Sequence, residues 1–391
     1  MKIKEVSAKA ILDSRKEKTI FVSIKTNVGE FSASAPNGKS TGKYEAKSYN
    51  KNLEGDIKTI KQLAGYFSDE TIEKFDDLKR VEDICEKQIG ANSVFALESA
   101  ILKALAKENK KEIWKLINVS DTGGARKFPR LVGNCIGGGK HSSGERKPDF
   151  QEFELIPNEK SPEKNFELNK KIKRETEKIL EMKDNKFKGQ KNDEDAWMTS
   201  LTDKEVLDIL KKTGVPIGID AASSGFYQRK NYNYLNPKFK RSIEEQFEYL
   251  SNLIKNFNLY YIEDPFDEND FESFAKLLKK FPDRLIVGDD LTTTNLKRLE
   301  KAIKMKSINA IIVKPNQIGS LIEVKAVCEL AKKNNIKIVF SHRSGETEES
   351  ILADLAFGFQ ADFLKCGITG NEREVKIKRL IEIEKRMKID D

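Results

Sequence analysis

Histidine is nearly missing from this chain: 391 residues carry two, His141 and His342. Cysteine is scarce as well. Cys85, Cys135, Cys328 and Cys366 stand apart with no Cys-x-x-Cys pair, which excludes a thiolate zinc site and argues for a reducing compartment over a disulfide framework. No run of about 18 apolar residues exists, so no membrane span is expected. The first residues, Met1-Lys-Ile-Lys-Glu5, lack an apolar leader, and the expected location is cytoplasmic. A dominant charge sign is also lacking: 71 Lys+Arg against 63 Asp+Glu leave +8, interleaved along the chain. That pattern reads as solvated helix faces, not as the clustered basic face that nucleic acid requires. With 38% hydrophobic residues a core can form, and the length suits two domains or one large barrel with an appendage.

What the chain does have is a set of apolar runs that each end on a reactive polar residue. Leu259-Tyr-Tyr-Ile-Glu263, Leu285-Ile-Val-Gly-Asp289, Ala310-Ile-Ile-Val-Lys314, Ile338-Val-Phe-Ser-His342 and Asp362-Phe-Leu-Lys365 follow one another at steps of 26, 25, 28 and 23 residues. A short strand, an amphipathic helix and two turns fill about that length. Repeated units with chemistry at each strand's C-terminal end predict an α/β fold of the (βα)8-barrel type, whose active site is built from those ends. Ile217-Gly-Ile-Asp220 reads as one more such strand.

The first third reads differently. Phe21–Thr26, Asn27-Val-Gly29 and Glu30–Ser34 predict a β-hairpin, and Pro36-Asn-Gly-Lys-Ser40-Thr-Gly42 predicts a mobile loop. Ala91–Ala106, rich in Ala and Leu at helical spacing, predicts a buried helix. Strands followed by helices imply an N-terminal α+β domain. Val119–Arg126 has linker composition, so the domains are expected at 1–124 and 125–391. Beyond the linker, Asp149–Ile156 alternates as a strand, Ser161-Pro162-Glu163 starts a helix, Asn192–Asp195 forms a loop, and a last helix runs from about Glu372 to Met387.

Asp220, Glu263 and Asp289 offer hard oxygen ligands of the kind that hold Mg²⁺. One acid at a strand end is most often a helix cap or an ion-pair partner. Several in barrel phase, beside Lys314, His342-Arg343 and Lys365, are harder to explain that way. Lys314 is either an ion-pair partner of Asp289 or a proton acceptor whose pKa burial and neighbouring cations depress. Arg343 and Lys365 suit phosphate or carboxylate.

These residues together resemble the enolase (phosphopyruvate hydratase) family. The matching motifs are Ile11-Leu-Asp-Ser-Arg15, Pro36–Gly42, Gln151-Glu-Phe153, Ile262-Glu-Asp-Pro-Phe266, Gly288-Asp-Asp-Leu-Thr292, Lys314-Pro-Asn-Gln-Ile-Gly319 and Ser341-His-Arg-Ser-Gly-Glu-Thr347. The resemblance spans nearly the whole chain and is that of a diverged, archaeal-like member. It implies reversible dehydration of 2-phosphoglycerate to phosphoenolpyruvate with two Mg²⁺ ions per active site. By resemblance, Asp220, Glu263 and Asp289 would hold one ion and Ser40 would contact the second. Lys314 would be the base and Glu194 the acid, with Glu152 and Gln151 beside it. Arg343 and Ser344 would hold phosphate, Lys365 the carboxylate, and His141 and His342 would line the pocket. A homodimer is also implied, although Phe21 and Glu382 fall where the family places a cross-dimer ion pair. Asp195-Ala196 stand where the family has glycines after the acid. That change keeps open a second possibility, a catalytically impaired paralogue acting as a binding or scaffold protein.

Overall fold

The computed structural model describes residues 1–39, 42–68, 70–117 and 126–390. Ser40 and most of the expected linker, residues 119–125, lie outside them.

The N-terminal unit begins with an antiparallel meander of β1 (Ile3–Leu12), β2 (Lys18–Thr26) and β3 (Gly29–Ser34). Thr26 pairs with Gly29 across the expected hairpin. Then come α1 (Leu53–Phe67), α2 (Leu78–Cys85), α3 (Ala91–Glu108) and α4 (Ile113–Leu116). The α3 helix is the expected Ala/Leu-rich segment, buried around most of its circumference between the meander and the rest of the molecule.

The second unit runs β4 (Arg130–Gly137), β5 (Glu152–Leu155), α5 (Pro162–Lys183), β6 (Trp197–Met198), α6 (Asp203–Leu210) and β7 (Ile217–Asp220). A small antiparallel sheet follows, β8 (Tyr227–Gln228), β9 (Asn231–Leu235) and β10 (Lys238–Arg241), and then α7 (Ile243–Phe257). Five regular units complete it: β11 (Tyr261–Glu263) with α8 (Phe271–Lys280), β12 (Leu285–Gly288) with α9 (Leu296–Met305), and β13 (Ala310–Val313) with α10 (Leu321–Lys333). The last two are β14 (Lys337–Ser341) with α11 (Ile351–Gly358) and β15 (Phe363–Gly367) with α12 (Asn371–Asp390).

Eight strands close into a ring in the order β4, β5, β7, β11, β12, β13, β14, β15, with β15 hydrogen-bonded back to β4. These strands are apolar on both faces because one faces the lumen and the other the helices. Val132, Ile156, Tyr261, Val287, Ile312 and Val339 form the lumen core. The helices start where capping chemistry sets them. Ser161 accepts from Lys164 N–H ahead of α5, and Thr202/Glu205 and Ser242/Glu245 form capping boxes ahead of α6 and α7.

One strand departs from uniform βα repetition. β5 runs antiparallel to both β4 and β7. Its N-terminal end therefore lies at the same rim as the C-terminal ends of the other strands, and Glu152 pairs in register with Asp220.

The N-terminal unit is fastened to that rim. Asn37 and Gly345 exchange backbone hydrogen bonds of 2.7 and 2.9 Å. Asn316 donates to Pro36 O and to Asn92 Oδ1, both at 3.0 Å, and Leu321 N–H reaches the buried Glu98 at 2.7 Å.

Candidate active site

The strand ends and adjoining loops deliver their polar residues to one tight chamber of about 20 Å³, lined by Glu194, Glu152, Gln151, His141, Lys314, His342, Arg343, Ser344 and Lys365 together with Gly38, Lys39 and Ser341. Every acid, base and anion-binding candidate from the sequence is in that lining. A wider cavity of about 430 Å³, bordered by Lys140, Lys147, Phe226 and Asp290, adjoins it at Gln151. Charged groups are denser in the smaller one.

On the floor, Lys365 Nζ lies 2.8 Å from Glu263, 3.2 Å from Asp220, 3.2 Å from Glu154 and 3.3 Å from Glu152. Burial alone would strip its proton, but these carboxylates outweigh burial and hold its pKa well above the usual lysine value. Lys314, just past β13, contacts Asp289, just past β12. Of the two alternatives for Lys314, the ion pair with Asp289 is present and the depressed pKa is not. Burial lowers Lys314, yet the Asp289 carboxylate beside it raises the net value, and Asp289 is correspondingly held low.

Glu194 sits on the loop between α5 and β6, packed against β4. Asn134 donates to it at 2.9 Å, and His141 Nδ1 and His342 Nε2 stand at 3.5 and 3.7 Å. Burial raises its pKa, but His141, Arg373 and Lys365 overcome that and hold the carboxyl far below the usual range. Glu152 behaves oppositely: burial and the Glu194 charge push it well up, so it retains a proton. His342, buried among cations, is held well below the usual histidine value and is neutral.

Two local features aim Glu194. Asp195 takes φ +64°, the left-handed conformation that glycine favours, and its side chain binds Lys173 and Thr369. Gly367 lets the loop approach, since a Cβ there would lie 2.6 Å from Glu194 O. Asp195 thus supplies the left-handed turn, at the cost of αL strain offset by its polar contacts.

Asp220 and Glu263 share Lys365, and Asp289 lies within electrostatic reach of Glu263. Around two ammonium groups, Lys314 and Lys365, stand five carboxylates: Glu152, Glu154, Asp220, Glu263 and Asp289. Glu263 Oε1 and Glu152 Oε2 are buried without a hydrogen-bond partner. Orphaned hard oxygens crowded with three further carboxyl groups on one floor fit a divalent cation. Asp264, Asp289 and Asp290 also lie close together, but Asp264 already accepts the N–H groups of Asp289 and Asp290 at 3.1 and 2.6 Å and acts as a backbone clamp. Ser40, the remaining metal candidate, is outside the described residues.

Sequence reasoning missed Glu45, which pairs with Arg343, and Asp193, which bonds His141 at 2.8 Å. It also missed Arg373, which donates to Asp193 O and Ser344 O, and Glu154. Only Glu154 carried a signal: two residues after Glu152 on a strand, it must share the inward face.

Comparison with known proteins agrees with this arrangement. Residues 126–390 match the family profile described as "Enolase, C-terminal TIM barrel domain", and residues 3–117 match "Enolase, N-terminal domain". The chain belongs to the enolase family. A protein named enolase from Methanosphaera stadtmanae is 35% identical over 98% of this chain and 97% of its own length. Those from Pyrobaculum aerophilum (35%; 94% of this chain, 91% of that one) and Sulfurisphaera tokodaii (37%; 98% and 95%) are similar. As an enolase-family protein the chain is a lyase of glycolysis, with a small-molecule substrate. Among the described residues no helix is long and apolar enough to cross a membrane. Nothing in the site favours the scaffold alternative, since Glu194 lines the chamber despite the altered loop.

Proposed function

We propose that the chain interconverts 2-phosphoglycerate and phosphoenolpyruvate in a Mg²⁺-dependent reaction. The observation that carries this reading is the joint presence of Lys314 and the Glu152/Glu194 pair in one chamber: Lys314 follows β13 and Glu152 starts β5, four strands apart in a ring of eight, and Glu194 comes from the loop between α5 and β6. Removing a proton alpha to a carboxylate and expelling hydroxide need a base and an acid on different sides of the substrate.

Lys314 Nζ takes the C2 proton, and the electron pair moves into the carboxylate to form an enediolate. Collapse of that species expels the 3-hydroxyl, which leaves as water with a proton from the Glu152/Glu194 pair. Glu152 stores the proton and Glu194 is placed to pass it on. Lys365 faces the substrate carboxylate, and Arg343 and Ser344 hold the phosphate. Asp220, Glu263 and Asp289 are the residues that would hold a divalent cation, with Ser40 contacting a second, and such cations would supply positive charge for the developing enediolate. His141 and His342 keep Glu194 oriented and the pocket closed to water.

The domain boundary at 124/125, a cytoplasmic location and a homodimer belong to the same reading. The test is phosphoenolpyruvate formation from 2-phosphoglycerate by the purified protein, with Mg²⁺ and with chelator. Turnover that chelator abolishes is expected. Folded, Mg²⁺-loaded protein that makes no product overturns the proposal.

A further inference from the structure

Arg343 is not free at its guanidinium head. Glu45, from the segment following the Pro36–Gly42 loop, accepts from Arg343 Nη1 at 3.1 Å and from Nη2 at 3.0 Å through Oε2, and from Nη2 at 3.2 Å through Oε1. Both side chains are buried, at 6% and 4% exposure. Asn316 Oδ1 accepts from Nη1 at 3.3 Å. Gly38 lies against the guanidinium so closely that a Cβ there would fall 1.9 Å from Nη2. The same Glu45 carboxylate accepts the N–H of Gly42 at 2.7 Å and Gln317 Nε2 at 3.3 Å, and Gln317 Nε2 also lies 3.3 Å from Asp289. One side chain therefore joins the loop, the anion-binding arginine and the cation-binding acids.

We propose that Glu45 is a positioning residue for phosphate recognition. It holds the Arg343 fork fixed and in step with Gly38 and Gly42, so that phosphate meets a preorganised guanidinium. A planar fork offers more than one donor edge. Glu45 occupies the Nη1/Nη2 edge and leaves Nε and the chamber side to the ligand. A guanidinium held by a buried bidentate partner loses less rotamer freedom when phosphate binds, and this freedom is a main cost of recognition. The inference rests on the enolase reading, because that reading makes phosphate the ligand of Arg343.

Glu45→Ala and Glu45→Gln test it. With 2-phosphoglycerate at saturating Mg²⁺, Glu45→Ala is expected to raise KM at least tenfold with kcat changed less than threefold. Inorganic phosphate binding measured by calorimetry should weaken in parallel. Glu45→Gln keeps the shape and one acceptor and should recover part of the loss. Because Glu45 acts through Arg343, the Glu45→Ala/Arg343→Ala double variant should be no worse than Arg343→Ala alone. A lowered melting temperature with KM and phosphate affinity within twofold of the starting protein overturns the proposal, as does additivity in the double variant. Tighter phosphate binding in Glu45→Ala also overturns it, since Glu45 would then be a competitor. If the starting protein binds phosphate but makes no product, the enolase reading falls while the phosphate series still decides the role of Glu45.

Discussion

Lys314 shows how one contact reverses a pKa expectation. A buried lysine on its own loses its proton readily, but the Asp289 carboxylate in contact with it keeps it charged. Lys314 and Glu194 therefore both rest in the ionised form opposite to the one their proposed roles require. Replacing either removes proton transfer without removing substrate binding: Lys314→Ala and Glu194→Gln should each lower kcat by roughly 10²–10⁴-fold, with KM little changed. Steady-state kinetics on both variants checks this. Glu154 is a residue-scale case of another kind. It is fully buried, its oxygens lack hydrogen bonds, and it adds a fifth carboxylate to a nest holding two ammonium groups. Glu154→Met fills similar volume with no charge and leaves Lys365 its three other partners. Without divalent cation it should stabilise the protein by about 1–3 kcal/mol in denaturant melts. A loss of stability would mean that Lys365 depends on Glu154.

At the scale of elements, the acid loop depends on the close approach at β15. Gly367→Ala places a Cβ against Glu194 O, and the loop must move because backbone is the obstacle. The expected result is at least a tenfold loss of kcat with the far-ultraviolet circular dichroism spectrum unchanged. Unaltered activity would show that the loop tolerates the shift. Much of this architecture was legible beforehand. Runs such as Leu285–Gly288 and Ala310–Val313 announce strands buried on both faces, and their even spacing requires helices between them. The direction of β5 was not legible, since alternation in Asp149–Ile156 has no polarity and an antiparallel strand reads the same way. Nor was the Glu45–Arg343 pair, because it spans 298 residues and arises from a loop of one unit packing on a turn of the other. The Ser341–Thr347 motif was visible as a string. Its geometry, with Glu346 capping Arg343 N–H at 2.9 Å and binding Lys376 at 2.8 Å, required the α12 helix to be in place.

Over the whole molecule, buried carboxylates tie stability to pH. Burial, with help from like charges, pushes Glu154 and Asp290 up to about 7 and Asp203 to about 8. Glu152, Glu263 and Asp264 are raised further for the same reason. Each binds its proton more tightly when folded than when unfolded. Below their ordinary values near 4 the stabilisation is complete, and it is lost as pH rises through the folded values. His342, held below 6.5, works in the other direction, but only under that pH. Glu194 and Asp289, held low, matter only in acid. Between about pH 6.5 and 8.5 the raised acids act unopposed: Asp203, at about 8, loses much of its contribution inside that window, while Glu154 and Asp290, at about 7, lose most of theirs below it. Thermal melts of cation-free protein should therefore fall by several degrees across that window. Mg²⁺ should restore most of the loss, because a cation on the ionised nest binds the folded chain and not the unfolded one. A melting temperature that stays level or climbs from pH 6.5 to 8.5 without cation would mean that the nest is neutralised some other way, and would remove the electrostatic case for a divalent ion at Asp220, Glu263 and Asp289.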